Sequence, residues 1–217
     1  MKESTTEKIS ELIERYPALE ICRADLISAV EKICESFKRG NKLLVCGNGG
    51  SASDSLHIVG ELMKSFRMPR KIEDFDKNFV EEAEKLFPDD LNYFKKNLQC
   101  ALPTISLLGE ISLSTAVAND NAADLIFAQQ VFGIGKRGDI LFAISTSGNS
   151  ANVLYAAKVA KILGLEIISL TGRSGGKLKN ISDVTICAPA DSTFIIQEFH
   201  LPIYHAICIA TENEFFG

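Results

Sequence analysis

His57 and Glu61 stand four residues apart in an amphipathic stretch, so a helix there sets both on one face. An imidazole beside a carboxylate can move protons or hold a cation. The chain has only three histidines, at positions 57, 200 and 205. His205 follows Gln197 by eight residues in a second helical stretch. That spacing is two turns with a drift of roughly 80°, so both can face one cleft. Two histidines, a carboxylate and an amide oxygen suit zinc or a similar divalent ion, with room for substrate oxygens. His200 lies off that stripe and reads as structural.

Anion chemistry lies next to the first pair. The segment Cys46-Gly47-Asn48-Gly49-Gly50-Ser51-Ala52-Ser53 is a glycine-rich turn between a short apolar strand, 42–46, and a helix from about Ser53 to Phe66. Backbone N–H groups and the positive end of the helix point outward from such a turn. Glycine lets a ligand approach the backbone closely. A second turn, Ser145-Thr146-Ser147-Gly148-Asn149-Ser150, carries four hydroxyls where a helix cap needs one. It suits a phosphate dianion bound by neutral donors. Neither turn is a GxGxxG fingerprint or a GK[ST] loop.

The elements that must position these groups follow from the apolar pattern. Runs at 42–46, 103–108, 139–144, 165–170 and 184–188 read as five buried strands. Helical stretches at 53–66, 111–118, 121–132, 150–163 and 192–212 alternate with them. Alternation of this kind predicts an α/β fold, a three-layer αβα sandwich on a five-stranded parallel sheet. Ligands of such sheets sit beyond the carboxyl ends of the strands, where both turns fall. Two front helices, 4–16 and 18–38, break at Pro17. Residues 68–100 are charged and read as one or two amphipathic helices broken at Pro88, serving as a packed lid or a subunit contact. Pro202 should kink the last helix near Glu198–Leu201.

The 217 residues suit a single domain, 1–217, with N-terminal helices over 1–40 and a helical insertion over 68–100. A net charge of −5 and a charge-balanced front section argue against nucleic acid as a partner. No window approaches the ~18–20 apolar residues of a membrane span. The polar N-terminus lacks a signal-peptide core. Six scattered cysteines without a CxxC pair read as reduced and buried, so the expected compartment is the cytoplasm.

The series CGNGGSAS, His57, Glu61, AND, ISTSGNSANV, LTGRSGG and IQEFHLPIYH resembles the sugar isomerase (SIS) domain family, a flavodoxin-like fold. Within it, the series is most similar to the phosphoheptose isomerases. The resemblance covers about residues 1–67 and 101–210. It implies aldose–ketose isomerisation between sedoheptulose 7-phosphate and D-glycero-D-manno-heptose 7-phosphate in heptose biosynthesis. It also implies a homotetramer with active sites between subunits, and one Zn²⁺ per subunit in some members. By position, the resemblance assigns Ser51, Ser145, Thr146, Ser147 and Ser150 to phosphate and sugar contacts. Asn48, Gly49, Gly50, Asn119, Asp120 and Gln197 fall at substrate-contacting positions. His57, Glu61, Gln197 and His205 fall at metal ligands, with Glu61 and His205 as the catalytic pair. The 68–100 segment is longer than the usual link, and Ser192–Ile196 is more apolar than in members with a charge there.

An enediol route needs one group to take and return a carbon-bound proton and another to shuttle the hydroxyl proton. Glu61 is the candidate for the first task and His205 for the second. Other readings are an isomerase of another phosphosugar, a non-catalytic relative that binds a replication initiator, and a sugar-phosphate-sensing regulator. The last lacks a DNA-binding module here.

Overall fold

The computed structural model describes residues 1–217. Five strands form one parallel sheet in the order β2-β1-β3-β4-β5. They are β1 Leu43–Cys46, β2 Thr104–Ser106, β3 Ile140–Ile144, β4 Glu166–Thr171 and β5 Val184–Cys187. Strand side chains alternate between two buried layers, as a parallel sheet covered on both faces requires. Leu43, Val45, Ile140 and Phe142 point into the larger core, and Leu44, Cys46, Leu141 and Ala143 into the smaller.

Helices α1 Glu3–Arg15, α2 Arg23–Lys38, α3 Gly50–Leu62 and α10 Thr193–Phe216 cover the first face. Helices α8 Ile126–Ile134 and α9 Ala151–Leu163 cover the second. The split follows from handedness. The chain leaves β1 toward β2 in one direction and β3 toward β4 in the other, so right-handed crossovers put α3 and α9 on opposite faces. The sheet therefore has its switch point between β1 and β3, where a crevice opens beyond the strand ends.

Several local expectations are corrected. The helix expected from Ser53 to Phe66 begins at Gly50 and ends at Leu62. Residues 17–22, expected to open the second front helix, form a 3₁₀ turn started by Pro17. The 68–100 segment holds three short helices: α4 Ile72–Phe75, α5 Lys77–Leu86 and α6 Leu91–Asn97. After α7 Ile111–Val117, residues 118–122 form a π-helical turn where a plain linker was expected. Helix α10 runs unbroken through Pro202 to Phe216, about one turn further than the sequence predicts.

The 68–100 segment is tied at its neck. Cys100 N donates to Arg70 O at 2.8 Å, and Ser65 N donates to Gln99 Oε1 at 2.8 Å. Beyond the neck it packs on the end of α10, with Phe75 edge-on to Phe216 at 5.0 Å. It lines a cavity of about 400 Å³ with Phe37, Pro103, Phe215 and Phe216. Phe37 ends α2 and Pro103 precedes β2, so this cavity lies at the amino-terminal edge of the sheet. Within one chain the insertion therefore does not cap the two ligand turns, which sit at the opposite edge.

Two buried carboxylates in α10 hold the periphery together. Glu214 accepts from Lys38 Nζ, Lys2 N and Thr5 Oγ1. Burial alone raises its pKa, but these three donors outweigh burial and hold the carboxyl at about 2. An unfolded glutamate titrates near ~4.3. The folded value is depressed, so this stability is fully present above ~4.3 and is lost as pH falls through about 2. Glu214→Gln is expected to lower Tm at pH 7, and the gap to the parent should close between pH 4 and 2 in scanning calorimetry. A gap that stays constant across that window would refute the carboxylate's role.

Candidate active site

The two turns lie side by side because their strands do: Val45 pairs with Phe142 and Cys46 with Ala143. An amide pair ties the first turn to α9, with Asn48 Nδ2 to Asn152 Oδ1 at 2.8 Å and the reverse bond at 2.9 Å. In the second turn Ser145 Oγ and Ser150 Oγ are 3.0 Å apart, and Asn149 N donates to Ser147 Oγ at 3.1 Å. The turn also abuts the 172–176 loop. Gly148 sits at φ +64°, and a Cβ there would stand 2.1 Å from Gly175 O. Glycine meets both the left-handed backbone and the close approach. Ser147, Asn48, Gly49 and Gly50 are exposed, Thr146 and Ser150 half-buried, and Ser51 and Ser145 buried. Two helix N-termini, of α3 and α9, converge here, so backbone N–H groups and hydroxyls face one crevice.

Helices α3 and α10 pack against each other with matched spacing. Gly50 lies against Gln197, since a Cβ on Gly50 would stand 2.5 Å from Gln197 Nε2. Seven residues further on each helix, His57 Nδ1 is 2.9 Å from the Tyr204 hydroxyl. Seven residues is nearly two whole turns, so the same faces meet again. His57 Nε2 is 2.9 Å from Glu61 Oε1. The His57 and His205 rings stand edge to face at 4.9 Å between centroids, and Tyr204 and His205 at 5.0 Å. His57, Glu61 and His205 thus come together, with Gln197 two turns nearer the phosphate turns.

Electrostatics separate the roles. Burial, then the neighbouring His57, lowers the pKa of His205, with Glu61 opposing, which favours the neutral ring. Burial raises Asp54 to about 6, against the Tyr204 hydroxyl and His57. His200 is fully buried, its Nε2 is 3.2 Å from Thr171 O, and burial pushes its pKa down to about 4. It packs in the core, away from the other two histidines.

His205 Nε2 is buried without a hydrogen-bond partner. Such an atom carries a desolvation cost that a bound cation would remove. Two imidazoles, a carboxylate and an amide oxygen match a borderline divalent ion. The side chains do not form a preformed cage, because His57 Nε2 and Glu61 Oε1 touch and must part to admit a cation. The donor types fit such an ion, but a cage would require His57 and Glu61 to part, and Gln197 stands two turns away against Gly50.

Asn119 and Asp120 lie exposed on the π-helical turn that follows β2 and α7, and Asn119 Nδ2 donates to Asp120 Oδ1 at 2.7 Å. Two residues at the site escaped the sequence reading, Asp54 and Tyr204. The spacing carried the signal: Asp54 is three residues before His57, and Tyr204 is seven after Gln197. A buried tyrosine in an apolar helix, though, reads as core.

A phosphate held by Ser147 would lose one charge-assisted hydrogen bond in Ser147→Ala, worth about 1.5–3 kcal/mol. Steady-state kinetics should show KM up by about 10–100-fold and kcat nearly unchanged. A large fall in kcat at constant KM would contradict a binding role.

Comparison with known proteins agrees with the geometry. The SIS domain profile matches residues 81–172. A phosphoheptose isomerase from Akkermansia muciniphila is 33% identical over 218 residues, covering all of both chains. One from Clostridium acetobutylicum is 38% identical over 190 residues, 88% of this chain and 82% of that one. The solved phosphoheptose isomerase from Neisseria gonorrhoeae superposes with a TM-score of 0.73 at 31% identity, covering 94% of each chain. That from Francisella tularensis gives 0.75 at 29% identity over 98% of this chain and 100% of that one. A relative more than 30% identical from end to end, on the same fold, places this chain in the phosphoheptose isomerase family of SIS-domain proteins.

Proposed function

We propose that this protein is an aldose–ketose isomerase that interconverts sedoheptulose 7-phosphate and D-glycero-D-manno-heptose 7-phosphate through an enediol. The observation that carries the reading is the α3–α10 seam: hydroxyl-rich turns at its start and His57, Glu61 and His205 further along. His57 lies seven residues beyond Gly50, about 10 Å along the helix axis. A linear seven-carbon sugar spans about 10 Å from C1 to phosphorus over eight bonds. The substrate fits that interval in extended form.

In this reading the phosphate rests on Ser51, Ser145, Thr146, Ser147 and Ser150 and the backbone of Asn48, Gly49 and Gly50. These groups bind and orient. The Glu61 carboxylate takes the proton from the carbon beside the carbonyl and returns it to the neighbouring carbon. Its Oε1 rests on His57, and its Oε2 has only Lys64 Nζ nearby, at 4.0 Å. Neutral His205 carries the hydroxyl proton between the two oxygens. Nothing is oxidised or reduced overall. A divalent ion such as Zn²⁺ on His57, Glu61, Gln197 and His205 would polarise the carbonyl and steady the enediolate, worth several kcal/mol.

The assembly we propose is a homotetramer whose neighbours close the crevice. Leu56, beside His57 on α3, and Ile111 on α7 are exposed apolar side chains in the single chain. No helix is long and apolar enough to cross a membrane.

The test is an isomerisation assay on a panel of ketose phosphates of five, six and seven carbons, with and without a chelator. The reading expects the highest kcat/KM on sedoheptulose 7-phosphate and loss of activity with chelator. A preference for a shorter sugar would move the assignment to another phosphosugar. Absence of turnover with retained binding would favour a non-catalytic role.

A further inference from the structure

We infer that Asn152 is a positioning residue: paired with Asn48, it sets the spacing of the two ligand turns for a phosphate while adding no charge. The inference rests on the phosphate-binding role proposed for these turns. It concerns a side chain that grips a turn rather than the ligand.

The first turn has few anchors. Its backbone bonds stay local, with Ser51 N donating to Asn48 O at 3.0 Å and Ala52 N to Gly49 O at 3.0 Å. Gly49 sits at φ +54°, and a Cβ there would meet nothing within 4 Å. The two Asn48–Asn152 bonds are the only hydrogen bonds that join residues 47–51 to a segment beyond β1 and α3. The second turn, in contrast, is held by the 172–178 segment. Gly172 N donates to Thr146 O at 2.9 Å, Lys177 N to Asn149 Oδ1 at 3.0 Å and Leu178 N to Gly148 O at 3.0 Å. Asn152, at the second position of α9, carries the position of the well-held turn across to the other.

The pair is keyed in one orientation. Asn152 Oδ1 also accepts from Val153 N at 3.0 Å. A backbone N–H only donates, so this bond fixes which end of the Asn152 amide is oxygen. The reciprocal bonds then fix Asn48, since a flip would set oxygen on oxygen and N–H on N–H. Asn48 is exposed and Asn152 half-buried, so both amides trade these bonds against bonds to water and gain little net stability. What the pair changes is geometry, and phosphate binding depends on donors already in place. Charge matters as well. Neither α3 nor α9 has an acidic residue in its first turn, although an acid there would stabilise a helix. Asn152→Asp would keep the shape and bring a negative charge to the crevice.

The experiment compares the parent with Asn152→Ala, Asn152→Asp, Asn48→Ala and the double alanine variant. It measures Kd for inorganic phosphate by calorimetry, KM and kcat on sedoheptulose 7-phosphate, and Tm without ligand. Asn152→Ala should raise Kd and KM about tenfold, with kcat nearly unchanged. Asn152→Asp should raise them further through like-charge repulsion, yet melt higher than Asn152→Ala because its carboxylate lies at the α9 N-terminus. A purely structural role would rank the two variants alike in binding and in Tm, and that ranking would overturn the inference. The double variant should bind phosphate like Asn152→Ala, since each amide acts through the other. Losses that add, affinities within about twofold of the parent, or a parent that binds no phosphate would also overturn it. A parent that binds phosphate but does not turn over sedoheptulose 7-phosphate would sink the isomerase reading and leave the inference standing.

Discussion

Glu61→Gln should lower kcat on sedoheptulose 7-phosphate by about 10²–10⁴-fold, the usual worth of a positioned base. The amide is nearly isosteric and can still contact His57, so the fold should survive. It cannot accept a proton from carbon at neutral pH. The loss should therefore fall on kcat, with KM little changed, because the phosphate end is untouched. Solvent deuterium gives a second readout: the parent should place deuterium on the substrate carbon beside the carbonyl in heavy water, and the variant should not. If Glu61→Gln kept near-normal turnover, the base would have to be sought elsewhere, and the role of the α3–α10 seam would fall with it.

The second large effect concerns stability. Glu212→Ala should destabilise the protein by about 3–5 kcal/mol, the range for breaking a buried ion pair from one side. Glu212 and Arg70 are both 0% exposed, with Arg70 Nε donating to Glu212 Oε1 at 2.9 Å. Glu212 also accepts from the Phe66 and Arg67 backbone at 2.8 and 2.9 Å. Arg70 reaches back to Leu62 O at 2.7 Å and Glu61 O at 3.1 Å, and its guanidinium lies 4.8 Å from the centre of the Phe216 ring. The pair thus fastens the end of α3, the neck of the insertion and α10 to one point. Removing the carboxylate leaves a buried charge and orphaned donors. Replacing both partners together, as Arg70→Met with Glu212→Leu, should recover much of the loss. Denaturant unfolding would show it. A small loss in the single variant would mean that water reaches the pair.

The backbone of Glu61 hangs from this clamp, so the two predictions meet at one residue. A weakened clamp should also blur the catalytic geometry, which a stability measurement alone would not reveal.

The legible part of the chain was its local grammar. Leu43–Cys46 followed by Gly47–Ser51 announced a strand, an anion turn and a helix, because apolar runs and glycines act locally. The four hydroxyls of Ser145–Ser150 were equally open to view. Helix limits were less so. Glycine is a poor helix former, so the sequence predicts a start near Ser53, yet α3 starts at Gly50, where a side chain would strike Gln197. The continuity of α10 through Pro202 was hidden for a related reason: burial of Pro202, Ile203 and Tyr204 outweighs a local preference to break.

What needed the tertiary structure was anything decided by two distant segments. Composition reads the insertion over 68–100 as a packed lid or a subunit contact; its neck at Arg70 and Cys100 sends it to the amino-terminal edge of the sheet, away from the turns of its own chain. Tyr204 and Asp54 become visible only when α3 and α10 are laid side by side.

The most direct measurement is a crystal structure of the Glu61→Gln variant with sedoheptulose 7-phosphate, which should bind and not turn over. The account predicts the phosphate against Ser145, Thr146, Ser147 and Ser150, and the first two carbons between position 61 and His205. A sugar bound in the reverse direction, or held away from the α3–α10 seam, would contradict it.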